Sequence, residues 1–553
     1  MASELDRRFD EMLAKVIGPG GRMVIGEGPD GRPIATNFPP TLSGLFTTFC
    51  ALYPDREAVV AGDERLTFGD LERWAQDLAP HLAARGIGRG DRVAIAMRNC
   101  PAWIVSYMAL AHVGAVIVLV NGWWQSHEMK HGLDLVEPKL VLADPPRAKR
   151  IAATGRDVDI AVLDVGEPLA EALRPLMEVE PATGDLPQAA PEDDATILFT
   201  SGSTGEAKGA VSTQLAVVTG TYSYAVGLMT LLGLLTEEGR APETPPRTLL
   251  SVPLFHVTGE VPVMLNSFVV GRCMVVMPKW DAGEALRLIE KERISYFVGV
   301  PTMSLELMNH PDRDRYDLSS LKDITAGGAP RPVTHVQRIA KEFPHANPAM
   351  GYGLTETNAC GASNFWGSYA AKPASTGRAQ KPFVDLAILG EGDLHLGSDQ
   401  IGEVAIRTAS NIRGYWRNPE ATAAAFTADG YVRTGDIGFL DDEGYLFIVD
   451  RKKEIIIRGG ENISSAEVEA ACYECQSVAE VAVFGVPDER LGEVPIAILH
   501  CRDGLNEQQL RTFLEPRLAA FKIPARMIFS DEPLPRLGTG KIDRVALKAK
   551  YAA

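Results

Sequence analysis

Positive charge is in short supply in this chain. Its 55 lysines and arginines face 72 aspartates and glutamates, giving a formal net charge of −17 over 553 residues. That balance argues against broad nucleic-acid binding and gives no support for docking on an anionic membrane. An anionic small molecule can still be held where basic residues gather locally. Cysteine is sparse too. Seven are scattered along the chain, an odd number that suits a reducing cytoplasm better than a disulfide framework. The opening MASELDRRFDEMLAKVIGPG is charged from its fourth residue and lacks the apolar stretch of a secretory signal. No period suggests tandem repeats, and no G-x-S-x-G elbow supports a hydrolase of that type.

The chain is too long for one core, so at least two domains are expected. Apolar residues at 46% and charged residues at 23% are ordinary for a globular protein. The longest apolar run, WIVSYMALAHVGAVIVLV (103–120), raises the question of a transmembrane segment. Ser106, His112 and Gly114 argue against one, and the run divides into a buried helix, a glycine turn and a β-branched strand. Apolar strand-like runs alternate with helical stretches: RVAIAM (92–97), LVLA (140–143), TLLSVP (248–253), CMVVM (273–277) and YFVGVP (296–301) are strands, and EALRLIEKE (284–292) is a helix. This alternation predicts an α/β fold whose sheets are covered on both faces. Polar, proline-rich stretches at 181–194 and 235–247 read as surface connections. Past about residue 400 strands shorten and turns multiply, and a domain boundary is expected near Asp450–Lys453.

Two patterns invite metal or redox readings. HEMKH (127–131) matches H-E-x-x-H, in which His127 and His131 would ligate zinc and Glu128 would act as general base. Gly132 follows at once and spacing identifies no third ligand, so the preferred reading is a solvated helix surface. Cys472 and Cys475 form a lone C-x-x-C with no second pair, which reads as packing within a helix.

The stretch TSGSTGEAKG (200–209) concentrates glycines and hydroxyls around one lysine. It is not a Walker loop, because Lys208 is followed by Gly209 and not by the serine or threonine that holds magnesium. A β-type run, ATILFT, feeds it. Its glycines allow close backbone approach, and Ser201, Ser203 and Thr204 offer hydroxyls to phosphate oxygens. Together with six further colinear stretches it resembles the adenylate-forming superfamily, in its acyl-CoA synthetase (fatty acid–CoA ligase) branch. These are RGDRVAIAMRNCP (89–101), VPLFHVTG (252–259), ITAGGAP (324–330), GYGLTET (351–357), YVRTGDIGFLDDEGYLFIVDRKKEIIIRGGENISSAEVE (431–469) and PRLGTGKIDR (535–544). The resemblance spans roughly residues 40–545.

That resemblance implies a large N-terminal domain of layered α/β subdomains with a small β-barrel (1–452). A small mobile α+β lid (453–553), hinged at Lys453, would follow. It implies ATP, Mg2+ and CoA as reactants, and two half-reactions: a carboxylate attacks the α-phosphorus of ATP, and a thiol then displaces AMP. The phosphate loop, Thr200, Ser201, Gly202, Ser203, Thr204, Gly205 and Lys208, would hold the departing pyrophosphate. Lys541 would be the catalytic lysine, Glu356 the magnesium ligand, and Thr355 a donor to the α-phosphate. Tyr352 would stack on adenine beside Gly327, Gly328 and Ala329, and Asp436 and Arg451 would hold the ribose. Gly459 and Gly460 would line a pantetheine tunnel gated by His256. Gly299, Val300, Gly327, Gly351 and Ala359 would line the acyl pocket. One departure stands out: the position after AVS, often histidine in this family, is Thr213.

The stretch NGWWQSHEMKHGL (121–133) and the proline-rich insertion before residue 248 look more like bacterial fatty-acyl-CoA synthetases than amino-acid-activating domains. A medium- or long-chain fatty acid is therefore the expected substrate, with aryl, phenylpropenoyl and sterol-derived acids as alternatives. Three readings of other kinds stay open: an adenylating enzyme that loads a carrier protein, a zinc peptidase built on HEMKH, and a dead nucleotide sensor. Nucleic acid and a transmembrane segment are not expected. The oligomeric state is left open, a homodimer included.

Overall fold

Buried parallel strands joined by helices set up the first sheet. The run that might have crossed a membrane forms a fully buried helix Pro101–His112, a turn at Gly114 (φ 70°) and the strand Val116–Leu119. A positive φ at this turn is why glycine stands there. The strands of this seven-stranded sheet run in the order Gly414–Tyr415, Ala207–Thr213, Asp194–Ser201, Val116–Leu119, Arg92–Ala96, Leu140–Ala143, Ile160–Val162. From Asp194–Ser201 onward neighbours are parallel. Ala207–Thr213 folds back antiparallel on Asp194–Ser201, so the glycine-rich stretch joins two paired strands.

The computed structural model describes residues 4–201, 207–329, 331–452, 454–459, 461–502, 504–537 and 540–551. Gly202, Ser203, Thr204, Gly205, Lys453 and Gly460 lie outside the described residues.

A second sheet of thirteen strands changes character along its length. The strands from Glu57–Ala61 through Cys273–Val276, Arg247–Leu250, Tyr296–Gly299 and Asp323–Gly327 to Asn347–Gly353 are parallel. From Gly361–Phe365 onward, through Tyr445–Arg451, Val432–Leu440 and Gly402–Arg407, pairing is antiparallel. The antiparallel portion expected as a small barrel is thus hydrogen-bonded into the same sheet. A five-stranded sheet begins only at Ile456–Arg458 and has its own core of Val468, Val481, Leu499, Leu510 and Leu514.

Helix starts follow local chemistry. Thr213, the residue that departs from the family pattern, caps the helix Gln214–Glu237 by accepting from the Ala216 amide at 3.2 Å. Such a cap is worth about 1 kcal/mol. This helix is long and apolar enough to cross a membrane, yet most of it is buried against Glu4–Ile17 and Asn266–Val270. It also takes up the start of the 235–247 connection, which was expected as loop. The helix keeps its hydrogen bonds to Glu238, whose amide reaches the Leu234 carbonyl.

Candidate active site

Parallel strands deliver their carboxyl ends, and the turns that follow them, to one edge of the second sheet, where open α/β sheets bind ligands. Gly327 and Gly351 are cross-strand partners there. A β-carbon at Gly351 would meet nothing within 4 Å, and one at Gly327 only the Gly351 carbonyl oxygen at 3.7 Å. Small residues at this point leave open space. Gly299 differs: a β-carbon there would lie 2.8 Å from Met303 Sδ, so this glycine makes room for Met303. Ala359 is buried at φ 65°, and its carbonyl accepts from the Tyr224 hydroxyl at 2.6 Å.

Two clusters form around this space. In the first, Asp436 and Arg451 face each other across paired strands. The buried Asp436 carboxylate accepts from Arg451 Nε at 3.0 Å and from the Tyr352 hydroxyl at 2.6 Å. Burial first, then the Asp436 charge, hold the Tyr352 phenol far above its usual range, so it stays a donor. The Arg451 side chain is more than half exposed, leaving guanidinium surface for an anionic or polyhydroxylated guest.

The second cluster joins the paired strands on either side of the glycine-rich stretch to the turn after Gly353. Lys208 pairs in register with Thr200, and its ammonium lies 5.1 Å from the centre of the Tyr415 ring. The Tyr415 hydroxyl donates to Glu356 Oε1 at 2.7 Å, and the Glu356 carbonyl receives the Ile412 amide at 2.9 Å. Glu356 sits with Thr355 in the one-turn helix Thr355–Thr357. Among the described residues its Oε2 carries no hydrogen bond. A hard oxygen held at one end and free at the other fits a hard cation such as Mg2+. Sequence reasoning missed Tyr415, since RGYWRN carries no family motif of its own; only the fold brings it to Glu356.

Lys541 enters from the C-terminal part of the chain. Its Cε and Nζ lie 3.2 and 3.4 Å from where a Gly328 β-carbon would stand, so the ammonium rests on a glycine at φ 74°. Burial, then the nearby Arg451, push its pKa down to about 8. The charged form is full below that value and lost above it. On the bridging role that the resemblance implies for Lys541, kcat/KM for ATP in adenylate formation should fall as pH rises through about 8, and Lys541→Arg should remove that limb. A pH profile of the half-reaction checks both.

His256 faces the same space. Its Nδ1 accepts from the Thr258 amide at 3.2 Å, which places the ring proton on Nε2. Burial and then the Lys541 charge push its pKa down to about 3, so it is neutral at ordinary pH. Just beyond it runs the π-helix Gly259–Leu265, which contains Pro262 and was not foreseen. There buried Glu260 takes a 2.7 Å hydrogen bond from Tyr107. Val300 lies under Gly540 of the lysine turn, 3.1 Å from where its β-carbon would be.

Gly459 does not join these clusters. It is exposed in a hairpin at φ 61°, its amide bonded to the Leu491 carbonyl within the small sheet. The zinc-like pattern is used otherwise. Glu128 accepts from the Gln125 amide at the start of its own helix, His131 donates to the Ala207 carbonyl at 3.1 Å, and His127 is exposed. Among the described residues no group of three metal-ligating side chains gathers. Cys472 is buried in the small core and both cysteines of the C-x-x-C are free.

Comparison with known proteins agrees with this geometry. The model of the AMP-binding enzyme family matches residues 46–416, and that of the AMP-binding enzyme C-terminal domain matches residues 467–541. A long-chain-fatty-acid–CoA ligase of Bacillus subtilis (strain 168) is 33% identical over 91% of this chain and 93% of its own length. A feruloyl-CoA synthase of Amycolatopsis sp is 32% identical over 90% of this chain and 96% of its own. Among solved structures, ATP-bound MatB from Rhodopseudomonas palustris superposes with a TM-score of 0.80 at 26% identity, covering 92% of this chain and 99% of that one.

Proposed function

Since the chain belongs to the AMP-binding enzyme family and is an AMP-forming acyl-CoA ligase by kinship, we propose the following division of labour within its site. A substrate carboxylate oxygen attacks the α-phosphorus of ATP, and the bond from that phosphorus to the bridging oxygen breaks, releasing pyrophosphate. The CoA thiol, losing its proton, then attacks the acyl carbon, and the carbon–oxygen bond to AMP breaks. The first step brings an anion against a polyanion, so positive charge at the meeting point decides the rate. Lys541 supplies it, bridging the carboxylate and an α-phosphate oxygen, while Thr355 donates to that phosphate.

Asp436 and Arg451 hold the ribose, and Tyr352, pinned by Asp436, lays its ring against adenine with Gly327, Gly328 and Ala329 along the base edge. The stretch 200–208 holds the departing pyrophosphate. Glu356 would hold Mg2+, which would supply charge neutralisation for the phosphates. Tyr415 fixes the Glu356 carboxylate for that purpose. Residues 453–553 form the lid, hinged at Lys453. Its exposed Gly459, with Gly460, reaches the pantetheine arm in the second step, and His256, neutral, gates the passage to the acyl space.

The acid is a medium- or long-chain fatty acid held along Val300, Gly327, Gly351 and Ala359. The open space at Gly327 and Gly351 supports this reading. A phenylpropenoyl acid is the alternative, and the feruloyl-CoA synthase relative supports it. One observation carries the whole assignment: Lys541 rests on Gly328 within electrostatic reach of Asp436 and Arg451. The test is AMP and thioester formation from ATP, magnesium and CoA across acids from acetate to palmitate, with benzoate, cinnamate and a bile-acid side chain. A peak at medium or long chains with equal AMP and thioester is expected. A peak at cinnamates would move the substrate class, and adenylate without thioester would make a carrier protein the acceptor.

A further inference from the structure

We infer that Glu306, through Arg536, is a positioning residue for Lys541. The inference rests on the role given to Lys541 above. Arg536 belongs to the same turn as the lysine. Its Nη1 donates to the Gly540 carbonyl at 3.2 Å, the Leu537 amide bonds the Lys541 carbonyl at 2.7 Å, and Arg536 and Ile542 pair as an isolated bridge. Where Arg536 is held, Lys541 is held too.

The other end of the guanidinium faces two carboxylates. One is Glu480 of the small sheet, buried and hydrogen-bonded to the same Nη2. The second is Glu306, whose Oε1 stands 3.3 Å from that Nη2, and which comes from the helix Pro301–Asn309 at the edge of the acyl space. Glu306 is itself fixed, since Trp280 Nε1 donates to its Oε2 at 2.5 Å and leaves Oε1 for the arginine. That helix and the residue before it also meet the turn by packing. A β-carbon at Gly540 would lie 3.1 Å from Val300 Cγ2 and 3.7 Å from Met303 Cε. One short helix thus lines the acyl space and, by a charged contact, seats the turn that carries the lysine.

The pair is partly exposed, so neutralising Glu306 should cost what surface ion pairs cost, and reversing its charge should cost more. Adenylate formation is expected to slow about two- to five-fold in Glu306→Gln and about tenfold or more in Glu306→Arg. Glu306→Asp, which keeps the charge, should stay closer to the parent than Glu306→Gln. Thioester formation from supplied acyl-adenylate, which does not use Lys541, should remain within about twofold in every variant. High salt should shrink the difference between Glu306→Gln and the parent, because it screens the pair that the substitution removes.

Equal loss in both half-reactions would overturn the inference, as would an unimpaired Glu306→Arg. Lys541→Ala, run alongside, separates the two levels. If it leaves adenylation intact, the role of the lysine falls and this inference with it. If it stops adenylation while Glu306→Arg does not, only the positioning role falls.

Discussion

On the role proposed for it, Lys541→Ala should slow adenylate formation by about 10²–10³-fold, roughly 3–4 kcal/mol of lost transition-state stabilisation, and should leave thioester formation from supplied acyl-adenylate nearly unchanged. The size follows from the setting. The ammonium sits beside Arg451 in surroundings that have pushed its pKa down to about 8. A charge held in partly desolvated surroundings acts more strongly on a phosphate than the same charge in water. The described Lys208 lies against Tyr415, on the Glu356 side of the space, and not on Gly328. Pyrophosphate exchange and single-turnover thioester formation, measured on the same preparation, give the two rates. Equal loss in both would make Lys541 a structural lysine.

On the ribose role proposed for it, Asp436→Ala should raise the KM for ATP by about 30–100-fold, or roughly 2–3 kcal/mol. The carboxylate is buried, and it serves two donors, Arg451 and Tyr352, before any ribose arrives. Its removal should therefore cost more than the pair of ribose hydrogen bonds proposed for it. Tyr352 loses the acceptor that orients its ring, and Arg451 loses its anchor. The same substitution should lower fold stability by about 1 kcal/mol, because a partly buried hydroxyl loses its acceptor. A melting curve separates that effect from binding. Asp436→Asn, which keeps an acceptor oxygen and the shape, should show a KM defect several-fold smaller. Unchanged ATP affinity in Asp436→Ala would remove this cluster from the nucleotide site.

Most of the candidate residues of this site stand in motifs of the chain. Lys541, Glu356, Asp436 and Tyr352 each stand inside a stretch whose neighbours fix its meaning, and the strand runs at 92–97 and 140–143 carry their burial in their own composition. What stayed hidden depends on partners far apart in sequence. Tyr415 meets Glu356 across 59 residues, and Arg536 meets Glu306 across more than two hundred. Neither glutamate–partner pair has a local signature, because surface-type residues in ordinary positions become a contact only once the sheet edge and the C-terminal turn meet. Local reading also missed where elements stop. TLLSVP loses its strand after Leu250, and the apolar helix that begins after Thr213 runs on through LTE, where Glu237 pairs with Lys15 of the first helix. Thr213 shows the converse: a departure from the pattern that the resemblance implies turns out to be a good helix cap.

The most direct test of the account is isotope exchange of pyrophosphate into ATP, in the presence of magnesium and a fatty acid and without CoA. The account predicts exchange that requires the acid, vanishes in Lys541→Ala, and gives way to equal amounts of AMP and thioester when CoA is added. Exchange without an acid, or ATP cleaved to ADP and phosphate, would contradict attack at the α-phosphorus and the site built around it.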